Sequence, residues 1–289
     1  MEHIVYKRLY FIIILLYNMS IVNALWIGKL GKLQLLSINS FLKQGHKYIL
    51  WIYPNINKKL IPTNIPKGVI VKDANKIFNK KYIFKHWSGN YATFADMFRF
   101  KLLHEKGGWW ADLDLICLRK LPEVSYFFGG ERRKRTGAFK TKLSHSFWIG
   151  LMRFPKNNPL LKKIYTEMLN NIDNFKDANN KIPFTYGQQQ LGLLLKKKYG
   201  EQFLWTENKI DMDLFNPLAY NDMIDFYKNN TNKCCKRWGW PEQDINNILK
   251  NSYTIHVYNT IIKNLDNKYG YSMYLIKILE EIIIKCIHY

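Results

Sequence analysis

Residues 90–118 read NYATFADMFRFKLLHEKGGWWADLDLICL, and the order of residue types in that stretch decides the fold. Phe94, Phe98 and Leu102 fall at i, i+4 and i+8, the spacing of one buried stripe, so Tyr91–Lys106 is predicted to be a helix. Gly107-Gly108 ends it, and Trp109–Leu118 is predicted to follow as a strand. Asp112 and Asp114 flank Leu113 in that strand, and in an extended segment residues i and i+2 point to the same side, about 7 Å apart. Two carboxylates among Trp, Leu and Ile are costly to bury unless a cation neutralises them. Hard cations such as Mg²⁺ or Mn²⁺ take oxygen ligands and share them with substrate phosphates. The expected site is therefore one for a metal and a diphosphate.

Working outward, the N-terminal side alternates element types. Ile21–Ile27 is a short apolar run closed by Gly28 and reads as a strand. Leu33–Lys43 has helical spacing, with Gly45 just beyond it where a left-handed cap fits. Lys47–Tyr53 and Val69–Val71 read as further strands. Strand, helix, strand, loop, strand predicts an α/β domain with a mostly parallel central sheet flanked by helices. On the C-terminal side, Glu131–Lys142 is basic and reads as an exposed loop, and Phe147–Ile149 as a strand. Asn158–Asn171 is predicted helical with Pro159 in its first turn, Tyr186–Tyr199 helical and opened by Gly187, and Ser252–Val257 a late strand. Tyr271–Ile287 is amphipathic and closes the chain as a helical extension. The expected division is 1–18 as a signal anchor or an upstream extension, 19–260 as the domain, and 261–289 as the C-terminal helix.

Composition bounds the function. The chain has 289 residues, 47% hydrophobic and 16% aromatic, enough for a large core, with a formal charge of +22. Such a charge favours anionic partners: nucleotides, nucleic acid, acidic glycans or an anionic membrane. Cys117, Cys234, Cys235 and Cys286 lack CxxC spacing, which argues against structural zinc. The sequons at Asn18 and Asn229 are short motifs that arise by chance in an Asn-rich chain. Leu9–Tyr17 is apolar but too short to span a bilayer alone, so location stays open between cytoplasmic and membrane-associated.

Other residues join the carboxylates as candidates. Asp96 and Arg99 are three apart and share a helix face; they are either a surface ion pair of little energetic value or a polar pair addressing an anion and sugar hydroxyls. Trp26 ends the first strand, where open α/β sheets place ligands. His256 lies in the late strand and is either a metal ligand or a structural histidine. Two rival functions are weaker. A DxD phosphatase of the haloacid dehalogenase type wants a Thr two residues after the pair, and Ile116 stands there. A nucleic-acid-binding protein would explain Arg132–Arg135 but not Asp112 and Asp114, which repel phosphate without a metal.

Taken as ordered motifs, residues 26–53, then DANKIF, then 91–118, and more loosely PFTYGQQQLGLLL and IHVYN, the chain resembles the DxD-containing glycosyltransferases of the family 32-like group. That group takes in mannosyltransferases and bacterial capsular sugar transferases, and the glucosylating clostridial toxins share its core pattern. The resemblance implies a GT-A fold as a single domain. It implies metal-dependent, retaining transfer of a hexosyl sugar from a UDP- or GDP-sugar to a glycan, lipid or protein acceptor, as in polysaccharide biosynthesis or glycosylation. It further implies that Trp26 stacks on the donor base and that Asp96 and Arg99 contact the sugar. Trp110 would line the donor pocket and Asp112 bind sugar or ribose hydroxyls. Asp114 would hold Mn²⁺ or Mg²⁺, with Asp112 and His256 as further candidate ligands. Arg99 would also offset charge on the leaving diphosphate. No dedicated nucleic acid is implied, and a peripheral membrane contact is an expectation from charge. Two departures stand out: Trp110 where the family often has Tyr, and Tyr258 before Asn259 where it commonly has Trp.

Overall fold

The structure is a computed structural model and describes residues 20–134, 143–206, 214–218, 220–227, 249–262, 277 and 279–281. The 1–18 segment, Asn229, Cys234, Cys235, Cys286 and most of the expected C-terminal helix lie outside the described residues.

Six strands form the central sheet: β1 (Ile21–Leu25), β2 (Lys47–Ile52), β3 (Ile70–Asp73), β4 (Gly108–Ala111), β6 (Phe127–Lys134) and β7 (Leu143–Phe154), in the order β3-β2-β1-β4-β7-β6. The β1–β2, β2–β3 and β1–β4 pairs are parallel, and β4–β7 and β6–β7 antiparallel. A second, two-stranded antiparallel sheet pairs β5 (Leu115–Cys117) with β8 (Thr254–His256). The α/β architecture with a mostly parallel central sheet agrees with expectation.

Register across the parallel core is fixed by one buried amide. Asn23 on β1 donates from Nδ2 to the Trp109 carbonyl on β4 at 3.0 Å and accepts at Oδ1 from the Trp51 indole on β2 at 3.0 Å. Satisfied at both ends, it costs little to bury, and any one-residue slip would orphan it.

The Ala92–Lys106 helix packs on this sheet with Phe94, Phe98 and Leu102 fully buried. Asn90 accepts the Ala92 N–H at 2.9 Å, satisfying one of the free donors of its first turn. The helix stops because Gly107 and Gly108 adopt φ of 67° and 89°, a region side chains rarely enter. A Cβ on Gly107 would also lie 2.9 Å from the Lys156 backbone nitrogen.

Two expectations need correction. Trp109–Leu118 is not one strand: β4 and β5 belong to different sheets, separated by a turn over Asp112–Asp114 in which Leu115 N–H reaches the Asp112 carbonyl at 3.2 Å. The turn lets each ladder finish on its own partner. Asp112 N–H donates to Gly150 at 2.8 Å, and the Asp114 carbonyl accepts from Val257 at 2.9 Å. Residues 131–134 of the expected basic loop instead extend β6 in its long pairing with β7. Residues 135–142 of that expected loop lie outside the described residues.

Candidate active site

The elbow between the two sheets carries both carboxylates. Their side chains are 29% and 20% exposed, at Asp112 and Asp114 respectively, so they reach solvent from an otherwise buried turn.

On one side, Asp112 belongs to a network with the Ala92–Lys106 helix. Arg99 Nη2 lies 2.9 Å from Asp112 Oδ1 and 3.1 Å from Asp96 Oδ1, and Nη1 donates to the Ile149 carbonyl at 2.6 Å. Asp96 and Arg99 are both buried, which excludes the surface ion pair. Trp110 is buried beneath them; its indole N–H donates to Asp112 Oδ1 at 2.8 Å, and the guanidinium sits 4.9 Å from its ring. A planar cation over an indole face suits the ring quadrupole. Burial pushes the Asp96 carboxyl up to about 7 against the pull of Arg99, and the Asp112 charge adds to the rise. Asp112 is likewise raised, first by burial and then by Asp114, with Arg99, the Trp110 N–H and His256 opposing.

On the other side, Asp114 faces the end of β8. Its Oδ2 lies 3.3 Å from His256 Nε2 and accepts the Asn259 N–H at 3.1 Å. Burial works against the Asp114 charge, but His256, through charge and hydrogen bond, and Asn259 outweigh it and hold the carboxyl below its usual value. The elbow thus sets two adjacent carboxylates apart: one tied to a cation inside the protein, one kept ionised toward an imidazole.

Sequence reading missed the shell behind His256. Trp148 on β7 packs against the imidazole with ring centroids 5.0 Å apart, and Tyr258 covers it at 3.9 Å. Tyr258 has φ of 50°, so the backbone turns sharply to bring its ring back and present the Asn259 N–H to Asp114. The Trp148 indole lies over Gly129 and Gly150, at each of which an added Cβ would come within 2.5 Å of it. The period-two spacing of Trp148 and Gly150 was the only available signal. Gly187 likewise has a role beyond opening a helix: a Cβ there would be 3.2 Å from Asp96 Cβ.

Trp26 stands just past β1, part-buried, with its indole N–H on the Lys29 carbonyl at 3.0 Å and its backbone N–H on Trp51 at 3.0 Å. Cys117 is buried with a free thiol.

Among the described residues, no three His, Cys, Asp or Glu side chains converge as a metal-binding group. The chain's own offer to a cation is Asp114 with His256, beside Asp112. That donor set fits Mg²⁺ or Mn²⁺, which are commonly held by one or two carboxylates and completed by substrate phosphates and water.

Residues 32–128 match the family described as the glycosyltransferase sugar-binding region containing a DXD motif. No curated protein matches the sequence. Among solved structures, the chain is similar to the PaToxG glycosyltransferase, at 14% identity over 84% of this chain and 86% of that one, with a TM-score of 0.44. It is also similar to the glycosyltransferase GlyE of Streptococcus pneumoniae TIGR4, at 15% identity over 84% of this chain, with a TM-score of 0.43. The match spans 55% of the length of GlyE.

Proposed function

We propose that this chain, whose residues 32–128 match the DXD-containing sugar-binding region of glycosyltransferases, transfers a hexosyl sugar from a UDP- or GDP-sugar to a glycan, lipid or protein acceptor. The observation that carries the reading is the elbow at Asp112–Asp114, where an ionised carboxylate meets an imidazole at 3.3 Å next to a second carboxylate fixed by Arg99.

Glycosyltransferases of the DXD type generally use a divalent metal, which when bound supplies positive charge to the diphosphate as the leaving group departs. Asp114 and His256 would hold that ion. Asn259 keeps the Asp114 carboxylate oriented. Asp112, fixed by Arg99 and Trp110, presents its carboxylate to sugar or ribose hydroxyls, and Trp26 stacks on the base. Arg99 works chiefly through Asp112, since its two terminal nitrogens already face Asp96, Asp112 and Ile149. Transfer retains the configuration of the donor sugar.

The test is a panel of UDP- and GDP-sugars, followed for donor hydrolysis and transfer with Mn²⁺, Mg²⁺ or EDTA. Asp114→Asn is expected to lower metal-dependent turnover at least a hundredfold while leaving the melting temperature within a few degrees. Turnover unaffected by the substitution, or by EDTA, sinks the assignment. The anomeric configuration of the product, read by NMR, decides retention.

A further inference from the structure

Among the described residues, three aromatic side chains stand exposed, Trp87, Tyr126 and Phe184, and two of them meet at one junction. Trp87 is 45% and Phe184 50% exposed, and the buried His86 imidazole borders both, 5.0 Å from the Trp87 ring and 6.5 Å from the Phe184 ring. The Ile182 carbonyl accepts the Trp87 indole N–H at 2.8 Å and His86 Nε2–H at 2.9 Å, while His86 Nδ1 accepts from Ser88 Oγ at 2.8 Å. The Trp87 backbone N–H donates to the Phe175 carbonyl at 3.0 Å, and the Phe184 carbonyl accepts from Thr93 Oγ1 at 3.4 Å. With both of its N–H donors taken, Trp87 is exposed as a fixed ring rather than a loose one.

The junction stands just outside the candidate site. The chain reverses at Gly107-Gly108, so the Ala92–Lys106 helix runs against β4. Arg99 is level with the elbow, 2.9 Å from Asp112, and the helix before it continues past the end of β4. Thr93 lies six residues earlier, about 9 Å further out along the axis. Residues 184–187 follow the same course: Phe184 meets Thr93, and a Cβ on Gly187 would lie 3.2 Å from Asp96 Cβ. Trp26 packs with the core layer of Leu50 and Trp109, whereas Phe84, Phe175 and Ile182 beside the junction pack with that of Trp51 and Trp110. Neighbours along a strand face opposite ways, so these layers are the two faces of the sheet. A donor whose base stacks on Trp26 reaches the elbow from the opposite side, which leaves the two rings to a second substrate.

The C–H groups on one face of a pyranose are apolar and pack on an aromatic ring by the water exclusion and dispersion that govern other apolar surface. Its hydroxyls need polar neighbours. Ser88 and Asn90 are exposed beside Trp87, and Thr185 follows Phe184. A ring already fixed by hydrogen bonds loses little freedom when a ligand settles on it. An acyl chain would use the rings but gains nothing from the polar residues around them. We propose that Trp87 and Phe184 form a saccharide subsite for the acceptor, so that the group receiving the sugar belongs to a glycan. This rests on the sugar-transfer reading above and goes beyond it by naming the acceptor class.

Saturation-transfer NMR of the full chain with the methyl hexosides of glucose, galactose and mannose, and with cellotriose, maltotriose and mannotriose, tests it without any donor. At least one of these sugars is expected to take up saturation at its ring C–H protons when the aromatic protons are irradiated. Phe184→Ala should weaken its binding at least fivefold with the melting temperature within a few degrees, since it removes a half-exposed ring and no hydrogen bond. Trp87→Phe keeps a ring and should weaken binding less than Trp87→Ala, which guards against a folding defect. With the donor found in the panel above, Phe184→Ala should raise the acceptor KM at least tenfold and the donor KM less than twofold. No bound saccharide, binding untouched by Phe184→Ala and Trp87→Ala, or equal rises in both KM values would each overturn the subsite. So would substitutions that abolish self-association on sedimentation and spare saccharide binding, which would make the rings a contact between copies. Saccharide binding that the substitutions remove, in a chain that turns over no donor, would keep the subsite and sink the transfer reading, so the two fail separately.

Discussion

Arg99 shows how one residue links stability to the candidate chemistry. Its guanidinium faces two carboxylates and a carbonyl in a buried setting. Arg99→Ala would leave Asp96 and Asp112 without their counter-ion, at a cost of about 3–5 kcal/mol, and should drop the melting temperature by roughly ten degrees. Arg99→Lys keeps the charge but cannot span both carboxylates with a planar fork. Its expected signature is a melting temperature much closer to the parent and donor turnover down at least tenfold. If Lys restored turnover, orientation of Asp112 would not be what Arg99 provides. The sequence made the Asp96–Arg99 pair readable because three residues is one helical step. It could not show that Asp112 completes the group, since that contact depends on where the elbow folds.

At the level of elements, the elbow was the least readable part of the chain. An apolar run with aspartates at alternate positions fits a single strand equally well, and only the partners in space divide it: Gly150 on β7 for Asp112, Val257 after β8 for Asp114. The helix before it was legible almost to the residue because its stripe and its Gly-Gly stop are both local signals. The β6–β7 pairing supplies the remaining device, a Trp148 ring laid across two glycines at a β-bulge between Phe128 and Gly129 and against His256. Gly150→Ala should force the ring to move, destabilising by about 1–3 kcal/mol as overpacking does. Because the ring backs His256, it should also raise the Mn²⁺ concentration needed for half-maximal turnover. Trp148→Phe removes much of the clash, so the double variant should be more stable than Gly150→Ala alone, a coupling that a thermodynamic cycle reads directly. Strict additivity would mean that the ring and the glycine do not meet as described.

Across the whole molecule, distant segments are closed onto one another by buried polar groups that no local pattern reveals, and His46 is the most testable. Its Nε2 accepts the Leu121 N–H at 3.1 Å, so the ring proton sits on Nδ1 and donates to Ser20 Oγ at 2.5 Å. One neutral imidazole thereby joins the lead-in to β1, the start of β2 and the chain beyond β5. Burial, with Lys120 adding to it and the Ser20 contact opposing, lowers its pKa to about 4. Between the usual value of 6.5 and 4, the unfolded chain binds a proton that the folded one refuses. Stability should therefore be complete above about pH 6.5, decline as pH falls, and have lost on the order of 2 kcal/mol by pH 5. That corresponds to roughly 4–8 °C in melting temperature. His46→Gln, which cannot titrate, should start lower at pH 7.5 because the fit to Leu121 and Ser20 is lost, yet fall by less between pH 7.5 and pH 5. Other groups titrate in both proteins, so the difference between the two slopes isolates His46. Parallel slopes would mean that the folded chain takes up the proton as readily as the unfolded one, and that the Leu121 N–H does not hold the imidazole neutral.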